Sequence, residues 1–174
     1  MKIFVSLFEG IADPLFQEYL AKAPKRRFPK GMVIFDQGEK TEEIYCITAG
    51  EVEIVKQNDE GDLKTLAELK SGAIFGEFSY LTGEPRSNAA LAKEETTLLE
   101  LSTSWLREVE VKHPEIRDRL MELYRERALY NVLAQTKLFS TLTKDQLKKL
   151  THQFAYTYLV SLADLQEALV PPKN

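Results

Sequence analysis

The distribution of glycine is the feature that most constrains the fold of this chain. Seven of the eight glycines lie between Gly31 and Gly83, where they alternate with short β-like runs. These runs are MVIF (32–35), IYCIT (44–48), EVEIV (51–55) and LKTLAEL (63–69), and LLELS (98–102) follows later. Short strands separated by closely spaced turns predict an antiparallel barrel or jelly roll. Gly61 can take the positive φ that a hairpin turn at 58–62 needs.

Both flanks of this segment have helical periodicity. Residues 11–23 place apolar side chains on one side of a helix, which a pair of prolines then ends. Residues 103–112 follow a Ser-Thr-Ser capping signal, and Pro114 is well placed to open a longer helix at 115–135. The predicted fold class is α+β: an antiparallel β-barrel of the jelly-roll type, flanked by N-terminal helices and a long C-terminal helix. The apolar face of the 115–135 helix needs a partner, either the barrel or a second copy of the chain in a homodimer.

The tail of the chain, 136–174, contains no glycine. LFSTLTKDQLKKL (138–150) has a threonine cap, Thr141 or Thr143, and begins like LFEGIADPLFQEYL (7–20). The likeness is either a partial internal repeat or two amphipathic helices that start alike. The tail is therefore a helical extension or the start of a truncated or degenerate second module. The predicted domains are 1–135 and 136–174.

Composition and charge argue against several classes of protein. With 174 residues, 44% hydrophobic and 29% charged, the chain resembles an ordinary globular protein with one full core. Its formal net charge of -4 argues against a general nucleic-acid binder. A single cysteine, Cys46, permits no internal disulfide, so a reducing, cytoplasmic location is expected. The N-terminal apolar run is too short for a secretory signal, and no apolar run is long enough to span a membrane.

Catalytic and metal chemistry find little support in the sequence. His113 and His152 are far apart and have no metal-ligand spacing, which also argues against a cupin. Cys46 lies within an apolar run and is interpreted as a buried core thiol. Trp105 is interpreted as a helix packing residue, and Lys25-Arg26-Arg27 as a solvated charged run. The sequence contains no recognisable carboxylate pair, triad or Walker-type loop, so we expect no enzyme, cofactor or metal.

FGEFSYLTGEPRSNAA (75–90) concentrates the candidate binding residues. Gly76 lets the backbone approach a ligand closely and exposes amides that can form an anion-binding concavity. Arg86 offers a planar fork that matches phosphate oxygens, and Ser87 adds a hydroxyl donor beside it. Glu77 repels a phosphate but can accept from a sugar hydroxyl. These residues describe a site for a compact nucleotide. The alternative is a Glu77–Arg86 salt bridge that only holds a loop.

The same stretch resembles the phosphate-binding cassette of the cyclic-nucleotide-binding domain family, found in catabolite activator proteins and protein kinase A regulatory subunits. Phe75-Gly76-Glu77 and Gly83-Glu84-Pro85-Arg86-Ser87 match the family motif, including its spacing from acid to arginine. FPKGMVIFDQGE (28–39) and IYCITAGEVEIV (44–55) resemble the family's first barrel strands, and the likeness covers about residues 7 to 133. The sequence departs from the pattern at Ser79-Tyr80, which replaces a smaller, more apolar pair, and at Asn88.

The resemblance implies a role for each matching residue. Glu77 is expected to accept from the ribose 2′-hydroxyl, and Arg86 to pair with the cyclic phosphate. Asn131, on the helix that caps the base, either reads the adenine edge or simply faces water. The other residues implied at the ligand are cassette positions and barrel positions: Gly76, Phe78, Ser79, Ser87, Asn88, Ile54, Leu66, Ala67 and Leu69. The apolar barrel positions are equally compatible with an ordinary core.

The implied function is that of a sensor. A cyclic nucleotide, cAMP rather than cGMP, would bind inside the barrel and favour one position of the 115–135 helix, which signals to an effector. The tail does not resemble a DNA-binding helix pair, so we expect no direct nucleic-acid binding by this chain. The alternative is a degenerate domain that has lost its ligand and acts as an interaction module. The presence of both Glu77 and Arg86 argues against that loss.

Overall fold

A computed structural model describes residues 7–8, 10–11, 13–57, 61, 63–135, 139, 141–143, 145–147, 149–151 and 153–154. The chain divides into two compact units, Met1–Met121 and Glu122–Asn174. The helices and strands, in chain order, are α1 (Pro14–Lys22), β1 (Lys25–Phe28), β2 (Val33–Phe35), β3 (Ile44–Ala49), β4 (Glu51–Gln57), β5 (Leu63–Lys70), β6 (Ile74–Phe75), α2 (Glu77–Thr82), β7 (Ala89–Ala92), β8 (Thr96–Leu101), α3 (Thr103–Lys112) and α4 (Glu115–Gln135).

The strands form two antiparallel sheets, with the orders β1-β8-β3-β6 and β2-β7-β4-β5. This arrangement with flanking helices confirms the predicted α+β fold with a jelly roll. The described strands form two separate sheets, however, and not one closed barrel. Strands β4 and β5 pair from Glu51↔Lys70 to Gln57↔Leu63, as the predicted hairpin requires. Gly61 has a φ of 92°, while the rest of the turn at 58–62 lies outside the described residues.

The first sheet is a middle layer, because its central strands β3 and β8 are buried on both faces. Successive side chains of a strand point to opposite faces, so each strand contributes to two cores. The helix-side core contains Ile44, Cys46, Leu99 and Leu101 together with Leu20, Tyr80, Trp105, Leu106, Ile116 and Leu120. The inter-sheet core contains Tyr45, Ile47 and Leu98 together with Phe28, Phe35, Val52, Phe75, Ala90 and Ala92.

Capping and aromatic packing position α3 as the sequence predicts. Ser102 is the N-cap, and its side chain accepts a hydrogen bond from Trp105 N at 3.4 Å. The Trp105 ring stacks on Tyr19 with a centroid separation of 3.9 Å and an interplanar angle of 5°. The interpretation of Trp105 as a packing residue is confirmed.

Three strands were not expected from the sequence. The charged run Lys25-Arg26-Arg27 is solvated, but it also belongs to β1, an edge strand that pairs with β8. Basic side chains on an edge strand discourage pairing with other chains. Strand β6 has only two residues, and β7 reads AALA, which lacks the β-branched residues typical of strands.

The second compact unit contains the C-terminal part of α4 and further helical turns. Thr143 Oγ1 accepts from Gln146 N at 3.3 Å, and Gln146 Oε1 accepts from Thr143 N at 2.9 Å. This reciprocal capping box identifies Thr143 as the predicted cap. Leu133, Leu147 and Thr151 are buried, and His152 lies outside the described residues. The domain boundary at residue 135 remains a prediction.

Candidate functional site

The predicted cassette connects β6 to β7 through the short helix α2. Gly76 caps α2 with a φ of 89°. A Cβ at this position would lie 2.7 Å from Glu43 O and 2.9 Å from Arg86 Nη1. Both the backbone conformation and the close approach of Arg86 therefore require glycine.

Arg86 is the charged side chain at the centre of this region, and it is only 2% exposed. Its guanidinium donates three hydrogen bonds: Nε to Thr41 Oγ1 at 2.9 Å, Nη1 to Gly76 O at 3.0 Å and Nη2 to Glu43 O at 2.9 Å. These acceptors come from the loop before β3 and from the start of α2. They fix the plane of the guanidinium.

Aromatic rings of the inter-sheet core lie beneath this guanidinium. Arg86 Cζ is 4.2 Å from the ring centroid of Phe35 and 5.9 Å from that of Tyr45, which places the cation over two π faces. Burial lowers the pKa of Arg86, and the neighbouring Tyr45 and Glu43 oppose that change. Glu43 Oε2 is 3.7 Å from Arg86 Nη2 and supplies an ion pair whose carboxylate is 37% exposed. Burial also raises the pKa of Tyr45 to about 12.

The loop after β2 holds the backbone of Arg86. Gly38 N donates to Arg86 O at 2.8 Å, and Arg86 N donates to Glu39 O at 2.9 Å. Asp36 N in turn donates to Glu39 Oε2 at 3.0 Å. These contacts, and those of Thr41 and Glu43, could not be predicted from the sequence. The sequence predicts a turn at DQGE (36–39), but it does not indicate that this turn hydrogen-bonds to the backbone of Arg86.

Helix α2 carries the other cassette residues. Glu77 is its first residue and is 5% exposed, so its carboxylate lies in the first turn, where the helix dipole favours negative charge. Ser79 is 1% exposed, and its Oγ has no hydrogen-bond partner among the described residues. Phe78 is half-buried. The first backbone N–H groups of a helix have no partner within the helix, which fits the predicted amide donors.

The remaining predicted residues of the cassette follow Arg86. Ser87 is exposed and Asn88 is half-buried. Asn88 Nδ2 donates to Ser87 Oγ at 3.1 Å. Ser87 and Asn88 directly follow Arg86 in the chain, but both are more exposed to solvent than the buried Arg86 side chain.

The predicted barrel positions divide into two groups. Ile54 and Leu69 pack against the inter-sheet core that also contains Phe35 and Tyr45. Leu66 and Ala67 are half-buried, and Ala67 pairs with Ile54 across β4 and β5. Asn131 is half-buried on α4, in the second compact unit. Contact of these side chains with a ligand remains a prediction.

A separate cavity of about 230 Å³ lies against α1 and α3, lined by Tyr19, Trp105 and His113 among others. None of the predicted ligand-binding residues lines it. Within the described ranges, no cluster of His, Cys, Asp and Glu side chains could hold a metal ion. No helix in that same part of the chain is long and apolar enough to cross a bilayer.

Comparison with known families identifies the class of protein. The family model described as "Cyclic nucleotide-binding domain" matches residues 25–112, which is half of the chain and includes the whole cassette. This chain belongs to the cyclic nucleotide-binding domain family. The match extends to the last residue of α3.

The relatives include receptors, transcriptional regulators and ion channels. The chain is 37% identical over 95 residues to the cyclic AMP receptor protein of Thermus thermophilus, covering 55% of this chain and 44% of that relative. The crystal structure of the Thermus thermophilus catabolite activator protein is similar with a TM-score of 0.63 and 26% identity, over 97% of this chain and 91% of the other. The sensor domain of the Pseudomonas aeruginosa transcriptional regulator DNR has a TM-score of 0.61 and 26% identity, over 79% and 90% of the two chains. The chain spans less than half the length of the receptor protein that it matches in sequence.

Proposed function

We propose that this chain binds a cyclic nucleotide, cAMP in preference to cGMP, as a regulatory sensor and not as an enzyme. The observation that carries the proposal is the arrangement around Arg86. This side chain is 2% exposed, and its fork is oriented by three hydrogen bonds, one to the start of the cassette helix and two to the loop before β3. A cation of this kind, built into a family that binds cyclic nucleotides, is suited to pair with the cyclic phosphate.

The free hydrogen-bonding capacity of Arg86 supports an anionic ligand at this position. Burying a charge is costly unless a counter-charge and hydrogen bonds compensate for it. The carboxylate of Glu43 stands 3.7 Å from the guanidinium and is itself partly exposed to water, which weakens the ion pair. Three of the five N–H groups of Arg86 are used within the chain, and a phosphate bound to the remaining two would make charge-assisted contacts.

The Glu77 carboxylate favours an anion that carries a hydroxyl group over a simple phosphate. Glu77 is buried to 5% exposure at the start of α2, and it would repel a simple phosphate. It would instead accept a hydrogen bond from a ligand that carries a hydroxyl beside its phosphate, as the ribose of a cyclic nucleotide does. In this proposal Ile54 on β4 and Leu69 on β5 contact the ligand from the inter-sheet core, together with Leu66 and Ala67 on β5.

The output of the sensor is a change in the position of α4. A ligand shifts such an equilibrium only by its differential affinity for the two positions. Asn131 on α4 is proposed to recognise the adenine edge, and a homodimer through α4 would transmit the change to an effector. We propose a cytoplasmic protein without direct nucleic-acid contacts by this chain.

One observation favours the alternative, a ligand-independent interaction module. Arg86 already gives three N–H groups to acceptors of its own chain, so its side chain is satisfied in part without a phosphate. In such a module the cassette would act as an internal brace, and the helices would mediate assembly.

Titration calorimetry with cAMP and with cGMP distinguishes the two functions. We expect cAMP to bind more tightly than cGMP. Replacing Arg86→Ala should weaken binding about 10- to 150-fold, because a charge-assisted contact contributes about 1.5–3 kcal/mol. Arg86→Lys keeps the charge but loses the planar fork, and it should also bind less tightly.

Arg107→Lys is the matched control, because the Arg107 side chain is 66% exposed and pairs with Glu42 at the surface. It should leave binding unchanged. Folding of every variant is checked by circular dichroism, and chromatography after incubation should recover the nucleotides unhydrolysed. A folded wild-type protein that binds neither nucleotide would establish the module and exclude the sensor.

A further inference from the structure

The loop between β2 and β3 (36–43) contacts Arg86 at both its main chain and its side chain. Two hydrogen bonds of 2.8 and 2.9 Å join the main chain of this loop to the main chain of Arg86. Two more, each of 2.9 Å, run from the guanidinium to Thr41 Oγ1 and to Glu43 O. The same loop therefore fixes the arginine at its backbone and at the end of its side chain.

Thr41 and Glu43 accept from adjacent N–H groups of the guanidinium. Nε–H and one N–H of Nη2 lie side by side on one edge of this planar group, and Thr41 Oγ1 and Glu43 O take these two nitrogens. Gly76 O accepts from Nη1. Within the described residues, one N–H of Nη1 and one of Nη2 are left for a ligand, and the loop sets the direction in which they point.

The Thr41 hydroxyl is the acceptor that the Nε–H uses, and a buried donor depends on its acceptor. The Arg86 side chain is 2% exposed, so an Nε–H without an acceptor would be costly. A guanidinium that loses this acceptor lowers its free energy by turning toward another one. Because the group is planar and rigid, the two N–H groups proposed for the phosphate turn with it.

We infer that Thr41 is a positioning residue, whose hydroxyl holds Arg86 in the orientation that binds the phosphate of a cyclic nucleotide. The inference rests on the proposed function and adds to it a residue outside the cassette motif (75–90). Thr41 acts through Arg86 and needs no contact with the ligand. Its contribution is preorganisation, because the fork is already oriented when the ligand arrives.

Two substitutions at position 41 separate the hydroxyl from the rest of the side chain. Thr41→Val keeps the branched shape and removes the hydroxyl, and Thr41→Ser keeps the hydroxyl and removes the methyl group. In calorimetric titrations with cAMP, we expect Thr41→Val to weaken binding about three- to tenfold, the effect of one hydrogen bond. Thr41→Ser should restore the wild-type affinity.

Thr48→Val is the matched control for the loss of a threonine hydroxyl. Thr48 Oγ1 on β3 donates to Thr97 O at 2.9 Å and, like Thr41 Oγ1, forms a part-buried hydrogen bond. Thr48→Val should lower the free energy of unfolding in urea titrations and leave the affinity for cAMP unchanged. A loss of affinity in Thr41→Val alone would then reflect the orientation of Arg86 and not a general loss of stability.

A double variant tests whether Thr41 acts through Arg86. Arg86→Lys keeps the positive charge but has no Nε–H and no planar fork for the Thr41 hydroxyl to orient. Adding Thr41→Val to Arg86→Lys should therefore reduce the affinity for cAMP little further. A residue that only packs the loop would instead give the same loss in both backgrounds.

The outcomes separate this inference from the proposed function. A folded Thr41→Val protein with wild-type affinity for cAMP would overturn the positioning role and leave cyclic-nucleotide binding intact. Failure of Thr41→Ser to restore affinity, or independent losses in the double variant, would also overturn it. A wild-type protein that binds neither cAMP nor cGMP would overturn the proposed function, and the positioning role would be rejected with it.

Discussion

The two cores of the first compact unit share one sheet but differ in content. The inter-sheet core holds Phe35 and Tyr45, the rings beneath the Arg86 guanidinium. The helix-side core holds Trp105 and Tyr80 and joins the sheet to the helices. Because β3 and β8 contribute alternate side chains to both, the two cores lie on opposite faces of the same sheet. A substitution can therefore affect one core with little direct change in the other.

The largest expected effect comes from a matched pair on β8. Leu98 faces the inter-sheet core and Leu101 faces the helix-side core, and both are 0% exposed. Leu98→Ala and Leu101→Ala should each lower the free energy of unfolding by about 2–5 kcal/mol in urea titrations. Only Leu98→Ala should also weaken cyclic-nucleotide binding, because it loosens the packing near Arg86. Equal losses of affinity in the two variants would show that the cores are not separable.

A second pair tests the close approach at the cassette. Gly76→Ala places a Cβ 2.7 Å from Glu43 O at a φ of +89°. Strain at such a site costs about 1–3 kcal/mol, and displacement of Arg86 should greatly reduce affinity in calorimetry. Gly83→Ala is the control, since its φ of +72° is similar but its Cβ would meet nothing within 4 Å. It should lose stability only, by about 1 kcal/mol. Indistinguishable variants would argue that contact with Arg86 is unimportant.

The aromatic support of Arg86 should contribute less. Phe35→Leu keeps an apolar side chain in the inter-sheet core but removes the ring that lies 4.2 Å from Arg86 Cζ. A cation–π contact contributes about 0.5–2 kcal/mol, so we expect a loss of affinity of roughly two- to thirtyfold. Phe8→Leu is the comparison in the helix-side core, where Phe8 packs edge-on against Trp105 at 6.4 Å. That variant should bind normally, and a larger loss of affinity there than in Phe35→Leu would contradict the division between the cores.

The smallest effect is on the pH dependence of stability. Burial raises the pKa of Cys46 in the helix-side core to about 12 from 9.0. The folded state therefore favours the neutral thiol, and its contribution to stability is present below about pH 9 and lost as the pH rises toward 12. The free energy of unfolding should fall by at most about 1.4 kcal/mol per pH unit through this group. In urea titrations at pH 8, 9 and 10, Cys46→Ala should have a shallower slope. An unchanged slope would show that Cys46 does not titrate on unfolding.

Strands and helices with a strong local pattern could be predicted from the sequence. Strands β3, β4 and β8 are apolar or alternating runs bounded by turns, and α3 begins at a capping serine. Strands β1, β6 and β7 could not be predicted, because KRRF is mostly charged, IF is too short to form a pattern, and AALA lacks β-branched residues. They become strands by pairing with β8, β3 and β4, which lie far away in the chain. Tertiary pairing overrides local propensity there.

The residues of the candidate site were likewise predicted only in part. Gly76, Glu77 and Arg86 were identified because they lie within one short motif. Their placement around the arginine fork is now visible, while their contacts with a ligand remain predictions. The groups that orient Arg86 were missed, since Glu43 contributes a backbone carbonyl and every residue has one. The type of residue at position 43 therefore could not indicate a contact with Arg86. Phe35 could not be distinguished in the sequence from other apolar strand residues.

The identity of these acceptors has a consequence for how such a sensor can diversify. Of the three groups that hold the Arg86 fork, the oxygens of Gly76 and Glu43 belong to the main chain. Replacing Glu43 changes the side chain and the ion pair but leaves its carbonyl in place, and only the Thr41 hydroxyl can be deleted outright. Arg86 is therefore anchored mainly by backbone oxygens, which a point mutation does not remove. During evolution, the side chains that line the proposed ligand site could change, and with them the preferred nucleotide, while Arg86 keeps its position.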